Sequence, residues 1–187
     1  MTLKKDKCII DEADQLQLAI SLVNSFARLQ VLEIETTLSR RRLTTLYREL
    51  HGVSPPKGQL PFSTRWFLIW THNIHASLFM QILRKIEAHS GLTGILAIVK
   101  AYQLYQEHVP PEPGQEPLFS LTRAWTLVRY LNNSILSTSA CRSCKGVFLV
   151  KPNGGYRFIC GLCKVPARAG KTNKARDAGS PATQSEG

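Results

Sequence analysis

The chain has 187 residues, with 24 Lys and Arg against 13 Asp and Glu, giving a formal net charge of +11. Nine of those basic side chains and only two acidic ones fall in residues 141–187, so +7 of the excess sits in the last 47 residues. That points to a polyanionic partner, nucleic acid before an anionic membrane surface. The length suits one domain plus a small appendage, and 43% apolar residues suffice for a core. No apolar run reaches the roughly 18 residues of a membrane span. The N-terminus has neither an apolar h-region nor a small-residue cleavage site, which predicts a cytoplasmic protein with reduced cysteines.

In chain order, helical periodicity runs from Asp11 to about Glu35, with Leu16, Ile20, Val23 and Ala27 in one stripe and Leu18, Leu22, Phe26 and Leu29 beside it. Thr36-Thr37-Leu38-Ser39 interrupts it, since hydroxyl residues favour caps and turns. Ser39 is the expected N-cap of a second helix, Arg40 to Leu50, that ends at Gly52 and the Pro55-Pro56 pair. A third helix is expected from Ser63 or Thr64 to about Ala88, a fourth from about Leu92 to His108, and a fifth from about Pro117 to Leu136. Beyond Ser137, Val147–Val150 and Tyr156–Ile159 are β-prone runs around Pro152-Asn153-Gly154-Gly155, a hairpin signal. From Ala167 onward only small, polar and basic residues occur, as in a disordered tail.

Four of the five cysteines form Cys141-x2-Cys144 and Cys160-x2-Cys163, with fifteen residues between the pairs. This spacing reads as a zinc site, because two intervening residues let one tight turn aim both sulfurs at a common point. Four thiolates leave no open coordination position, so one Zn²⁺ per chain would be structural. An iron–sulfur cluster uses the same ligand type and stays open on spacing alone, whereas disulfides conflict with the compartment. Cys8 is far off in sequence and receives no role.

Residues 27–50 have the outline of a helix–turn–helix, whose second helix would present Arg40, Arg41, Arg42, Thr44, Thr45 and Arg48 to a major groove. Thr37 occupies the position where a turn glycine is frequent, and Glu33 one where a small residue allows close helix approach. An ordinary helical hairpin with solvated arginines is the competing reading. His72 and His75 lack a carboxylate to complete a metal site and read as core or boundary residues; Phe62, Trp66, Phe67 and Trp70 read as core or partner interface. There is no P-loop, G-x-G-x-x-G or G-x-S-x-G, so nothing supports an enzyme or a small-molecule substrate.

Taken together, Ala27-Arg28-Leu29-Gln30, Leu38-Ser39-Arg40, Pro55-Pro56-Lys57-Gly58, Leu60-Pro61-Phe62-Ser63-Thr64 with Trp66-Phe67, His75-Ala76-Ser77, Lys100-Ala101-Tyr102 and Leu121 to Arg129 resemble the bacterial flagellar transcriptional activator family FlhC, with the two CxxC pairs following in order. The resemblance covers roughly residues 14–168 and not the tail. It implies a hetero-oligomer of two FlhC and four FlhD subunits that binds promoter DNA of flagellar (class 2) operons and other operons and recruits RNA polymerase. It also implies one zinc held by Cys141, Cys144, Cys160 and Cys163. The expected architecture is mainly α: a multi-helix domain (1–137) with the helix–turn–helix-like hairpin at 27–50, a small four-cysteine zinc-ribbon-like β-hairpin module (138–166) and a basic tail (167–187). The alternative is a zinc-ribbon protein-interaction or RNA-binding module without its own sequence-specific DNA readout.

Overall fold

A computed structural model describes residues 9–154, 157–167 and 169; Cys8, Tyr156 and nearly all of the expected tail lie outside them. Seven helices and two strands follow in order among these residues: α1 (Ile9–Asn24), α2 (Leu29–Glu35), α3 (Arg40–His51), α4 (Thr64–Leu68), α5 (Trp70–His89), α6 (Gly94–His108), α7 (Leu121–Asn132), β1 (Ser137–Ala140) and β2 (Val147–Val150). The architecture is mainly helical with one small antiparallel hairpin, as the sequence predicts. None of the described helices is long and apolar enough to cross a membrane.

The stretch expected to be one helix from Asp11 to Glu35 is two. After Asn24 the Phe26 N–H bonds the Val23 carbonyl (2.8 Å) and the Ala27 N–H reaches back to Leu22 (3.0 Å). This is a Schellman stop, with Phe26 at φ +54° in the left-handed position that glycine usually fills. The exposed Phe26 ring stacks on His51 at 4.3 Å, and His51 Nε2 meets the Val23 carbonyl at 2.9 Å. Packing against the end of α3 therefore supports a backbone conformation that the residue type disfavours. Ser39 caps α3 as expected, its hydroxyl accepting from the Arg42 N–H, and Gly52 ends the helix at φ +69°.

The expected helix from Ser63 or Thr64 to Ala88 breaks at Ile69, which is extended (φ −67°, ψ 139°). The carbonyls released at the break find side-chain partners from the first turn of α5. His72 Nδ1 meets the Trp66 oxygen at 3.1 Å, and Asn73 Nδ2 donates to the Phe67 oxygen at 3.0 Å. His75 joins α5 to α6 through Nδ1 and the Tyr105 hydroxyl, 2.6 Å apart. Burial lowers the pKa of both histidines. The last helix stops at Asn132, short of the expected Leu136, by the same Schellman device: Ile135 N–H bonds the Tyr130 carbonyl at 2.8 Å with Ser134 at φ +57°.

One continuous core joins these elements. Leu22, Val31, Leu32, Leu43 and Tyr47 fill the space among α1, α2 and α3, and Phe67, Phe79, Tyr102, Tyr105, Phe119 and Leu127 fill that among α4 to α7. Leu136 and Leu149, at the two sides of the hairpin, belong to the same core. Tyr47 is fully enclosed, and among the described residues its hydroxyl has no hydrogen-bond partner; burial pushes the phenol up to about 12. Tyr47→Phe removes an orphaned polar group without emptying space, so urea denaturation should show stability unchanged or raised by about 1 kcal/mol. Leu22→Ala should lose about 2–5 kcal/mol. Destabilisation of Tyr47→Phe by more than about 1 kcal/mol would mean that the hydroxyl has a partner.

Candidate functional site

The first cysteine pair sits in the loop of the β1–β2 hairpin, where Ser137 opposes Val150 and Ala140 opposes Val147. This differs from the expected hairpin, in which Val147–Val150 would pair with Tyr156–Ile159. The described part of that second run, residues 157–159, is not strand. The reason lies in what already occupies both sides of β2. One edge is taken by β1, a Ser-Thr-Ser-Ala strand with little β-forming composition. Toward the other, α5 presents a polar row: Gln81 Nε2 donates to the Val147 carbonyl (3.2 Å), Ser77 Oγ accepts from the Leu149 N–H (3.1 Å) and Asn73 Nδ2 donates to the Leu149 carbonyl (3.0 Å). Positions 73, 77 and 81 are successive i, i+4 neighbours on one helical face.

The two CxxC segments are built alike. Lys145 N–H closes on the Cys141 carbonyl at 2.9 Å, and Lys164 N–H closes on the Cys160 carbonyl at 3.0 Å. Gly146 carries no side chain because a Cβ there would approach Phe148 to 3.0 Å and Cys144 Sγ to 3.4 Å. The second segment lies directly on α5: Trp70 Nε1 donates to the Gly161 carbonyl at 2.9 Å, and a Cβ on Gly161 would come within 2.4 Å of the indole. Cys141, Phe148 and Cys160, with Phe158 packed against them, form a small apolar cluster separate from the main core. Arg142 N–H donates to the Phe158 carbonyl at 3.0 Å, which ties the first segment to the approach of the second.

All four sulfurs lie within 4.8 Å of one another, with Cys144 and Cys160 Sγ 3.7 Å apart. Tetrahedral bonds of about 2.3 Å require sulfurs about 3.8 Å apart, so the four fit one ion. They are free thiols rather than disulfides, with Cys141 and Cys160 buried and Cys144 and Cys163 exposed. The Cys160 N–H donates to Cys141 Sγ (3.3 Å) and the Cys163 N–H to Cys160 Sγ (3.4 Å). Backbone donation from Cys160, Cys144 and Ser143 lowers the Cys141 thiol to about 6. Cys144 accepts from the Gly146 backbone, which favours its thiolate, yet partial desolvation of the sulfur by its neighbours and hydrogen bonds among the sulfurs hold it up to about 11. Four adjacent thiolates repel one another, and a cation is what allows all four to ionise. The residues present therefore fit a closed, four-coordinate structural metal site.

The basic residues singled out on α3 have unequal surroundings. Arg40 pairs with Glu33 of α2 (3.0 Å) and Arg42 with Glu12 of α1 (2.5 Å). The Thr44 hydroxyl donates to the Arg40 carbonyl at 2.9 Å. Arg41, Thr45 and Arg48 are exposed, and neither Arg41 nor Arg48 forms an ion pair among the described residues. The two positions that depart from a typical helix–turn–helix are accommodated. Glu33 is the partner of Arg40, and Thr37 needs no glycine, since its backbone is not left-handed and its N–H donates to Gln15 Oε1 (2.9 Å).

Sequence reasoning misses Trp70, Asn73, Ser77, Gln81 and Gly161 as the residues that seat the cysteine segments. The available signal is the i, i+4 recurrence of Asn73, Ser77 and Gln81 along one face of the helix. Asn73→Ala leaves the Leu149 and Phe67 carbonyls without their donor and should lower stability by about 1–3 kcal/mol in urea denaturation. Gly161→Ala should loosen the second segment from α5, seen as faster release of bound metal to a chelator; unchanged release would remove Trp70 from the account.

Comparison with known proteins then places the chain. The family model described as "Flagellar transcriptional activator (FlhC)" matches residues 4–176. The chain is 53% identical over 170 residues to the flagellar transcriptional regulator FlhC of Paraburkholderia atlantica, covering 90% of this chain and 78% of that protein. It is 49% identical to that of Proteus mirabilis and 48% to that of Serratia marcescens, each over 90% of this chain and 88% of the relative. These relatives are named as regulators and not as enzymes. With a family-model match across residues 4–176 and relatives about half identical over 90% of its length, the chain belongs to the FlhC family of flagellar transcriptional activators.

Proposed function

We propose that the protein is a DNA-binding subunit of a cytoplasmic transcription activator. It works with FlhD, as two FlhC and four FlhD chains, at promoters of flagellar (class 2) operons and other operons, where the complex recruits RNA polymerase. The support that carries this reading is the family match across residues 4–176. The basic charge of +11 and the outward row Arg40, Arg41, Arg42, Thr44, Thr45 and Arg48 on α3 agree with it. Arginine forks suit guanine edges and phosphates, and threonine reaches either. Arg41 and Arg48, with no carboxylate partner among the described residues, are the side chains of this row most ready to take phosphate or base.

The metal in this reading is one Zn²⁺ per chain, held by Cys141, Cys144, Cys160 and Cys163. It supplies no catalysis. Its thiolate bonds hold the two segments in one orientation, since binding energy at such sites is folding energy. The chain's own residues do the rest: Trp70 and the 73–77–81 row fix that orientation to the helical core.

Purified protein should contain one zinc per chain by elemental analysis, and Cys144→Ser should abolish metal retention and activation. Iron with visible absorbance, or a folded Cys144→Ser protein that still activates, contradicts the structural zinc. In gel shifts a promoter-specific complex should require FlhD and weaken steeply with salt, and Arg41→Ala with Arg48→Ala should weaken it further. Equal affinity for random RNA would overturn the reading.

A further inference from the structure

The loop after α3 divides two neighbouring hollows. The first, about 300 Å³, is lined by Arg40 and Thr44 of α3 and by Lys57 and Gly58. The second, about 390 Å³, is lined by Arg28, Arg65 and Arg123 around Trp66, with Gln59 and Ser63 on its wall. The partition between them is pinned from α2, because Gln30 Nε2 donates to the Gly58 carbonyl (3.1 Å) and the Arg28 guanidinium donates to the Gln59 carbonyl.

Three arginines converge on the second hollow. None forms an ion pair with a carboxylate among the described residues, and no Asp or Glu lines the hollow. Arg123 lies over Trp66, its guanidinium carbon 3.7 Å from the ring centroid, and Trp66 stacks on His72 at 3.9 Å. Burial first, and then the charge of Arg28, lower the Arg123 pKa. Like charges kept together in a half-buried hollow cost free energy, and a bound anion would remove that cost. Planar guanidinium edges match the oxygens of a phosphate, and stacking on Trp66 leaves those edges oriented before any ligand arrives.

We propose that the Arg28–Arg65–Arg123 hollow is a second phosphate-contacting site, which takes backbone phosphates of duplex DNA beside the stretch met by α3. The inference rests on the DNA-binding reading above and adds a surface that reading does not include. Continuity favours DNA over an acidic segment of a partner protein. Arg40 and Thr44, in the row assigned to DNA, line the adjoining hollow together with Lys57 and Gly58 of the loop after α3, and Gln59, next along that loop, lines the hollow of Arg28. The basic track thus runs from α3 across the loop to α7, as an extended polyanion requires. Phe62, 80% exposed at the rim, makes a protein segment the competing occupant.

The test is the salt dependence of promoter binding by the complex with FlhD. Arg65 is exposed, so Arg65→Gln should leave the fold intact, and Arg123→Gln probes the stacked position. Each should weaken promoter and random duplex alike and reduce the log–log salt slope by about one, with the double variant losing about two. Phe62→Ala should leave the slope unchanged. An unaltered slope in both arginine variants, beside a wild type that binds steeply, overturns this site while leaving the α3 reading intact. Loss of assembly with FlhD at constant slope also overturns it, by assigning the hollow to a protein contact. A wild-type complex with no salt-dependent promoter binding overturns both.

Discussion

The arrangement on which the rest depends is the row of side chains that α5 lays along β2. A two-stranded hairpin is marginal by itself in water, and β2 would otherwise leave peptide groups unpaired beside a helix. Asn73, Ser77 and Gln81 supply those partners, and Trp70 extends the same face to the Gly161 carbonyl. Each such bond contributes about 0.5–1.5 kcal/mol net, but leaving the buried group unmade costs about 1–3 kcal/mol, so the row selects one seat for the hairpin. Because β2 carries the first cysteine pair on its loop and Trp70 touches the second, the helix sets where the metal site stands on the molecule.

A metal at the four sulfurs would complete what the helix begins. α5 fixes β2 and one turn of the second segment, whereas the four sulfurs must be drawn together against mutual repulsion. The contrast between a lowered Cys141 and a raised Cys144 reflects that conflict. Charge bookkeeping changes as well. A divalent ion held by four thiolates would carry a net negative charge, and Arg142 and Lys145, beside the cysteines in sequence, would counterbalance it as much as they add to the basic surface. The proposed DNA contacts, on α3 and around Arg28, Arg65 and Arg123, lie away from the cysteines and would not be offset by such a charge.

Local signals are legible in the sequence, and long-range ones are not. The Ser39 cap, the Gly52 stop and the CxxC spacing each report on a few adjacent residues, and each folds as read. The breaks at Phe26 and Ile69 escape because no glycine or proline marks them. They are sustained by partners distant in sequence or in the next helix: His51 beneath Phe26, and His72 and Asn73 at the carbonyls of α4. The hairpin partner differs from expectation for a similar reason. Tyr156–Ile159 has the better β composition, but Ser137–Ala140 enters directly from α7, and α5 already serves the other side of β2. Strand pairing here follows from where the helices leave room, which composition does not report.

The central claim, that α5 seats the hairpin while the metal gathers the cysteines, is tested most directly by amide hydrogen exchange before and after metal removal. The account predicts that the Lys145, Cys160, Cys163 and Lys164 amides lose protection while the Leu149 amide, bonded to Ser77, keeps it. Loss of protection at Leu149 in step with the cysteine segments would contradict it, and would make the metal rather than α5 the element that holds β2 in place.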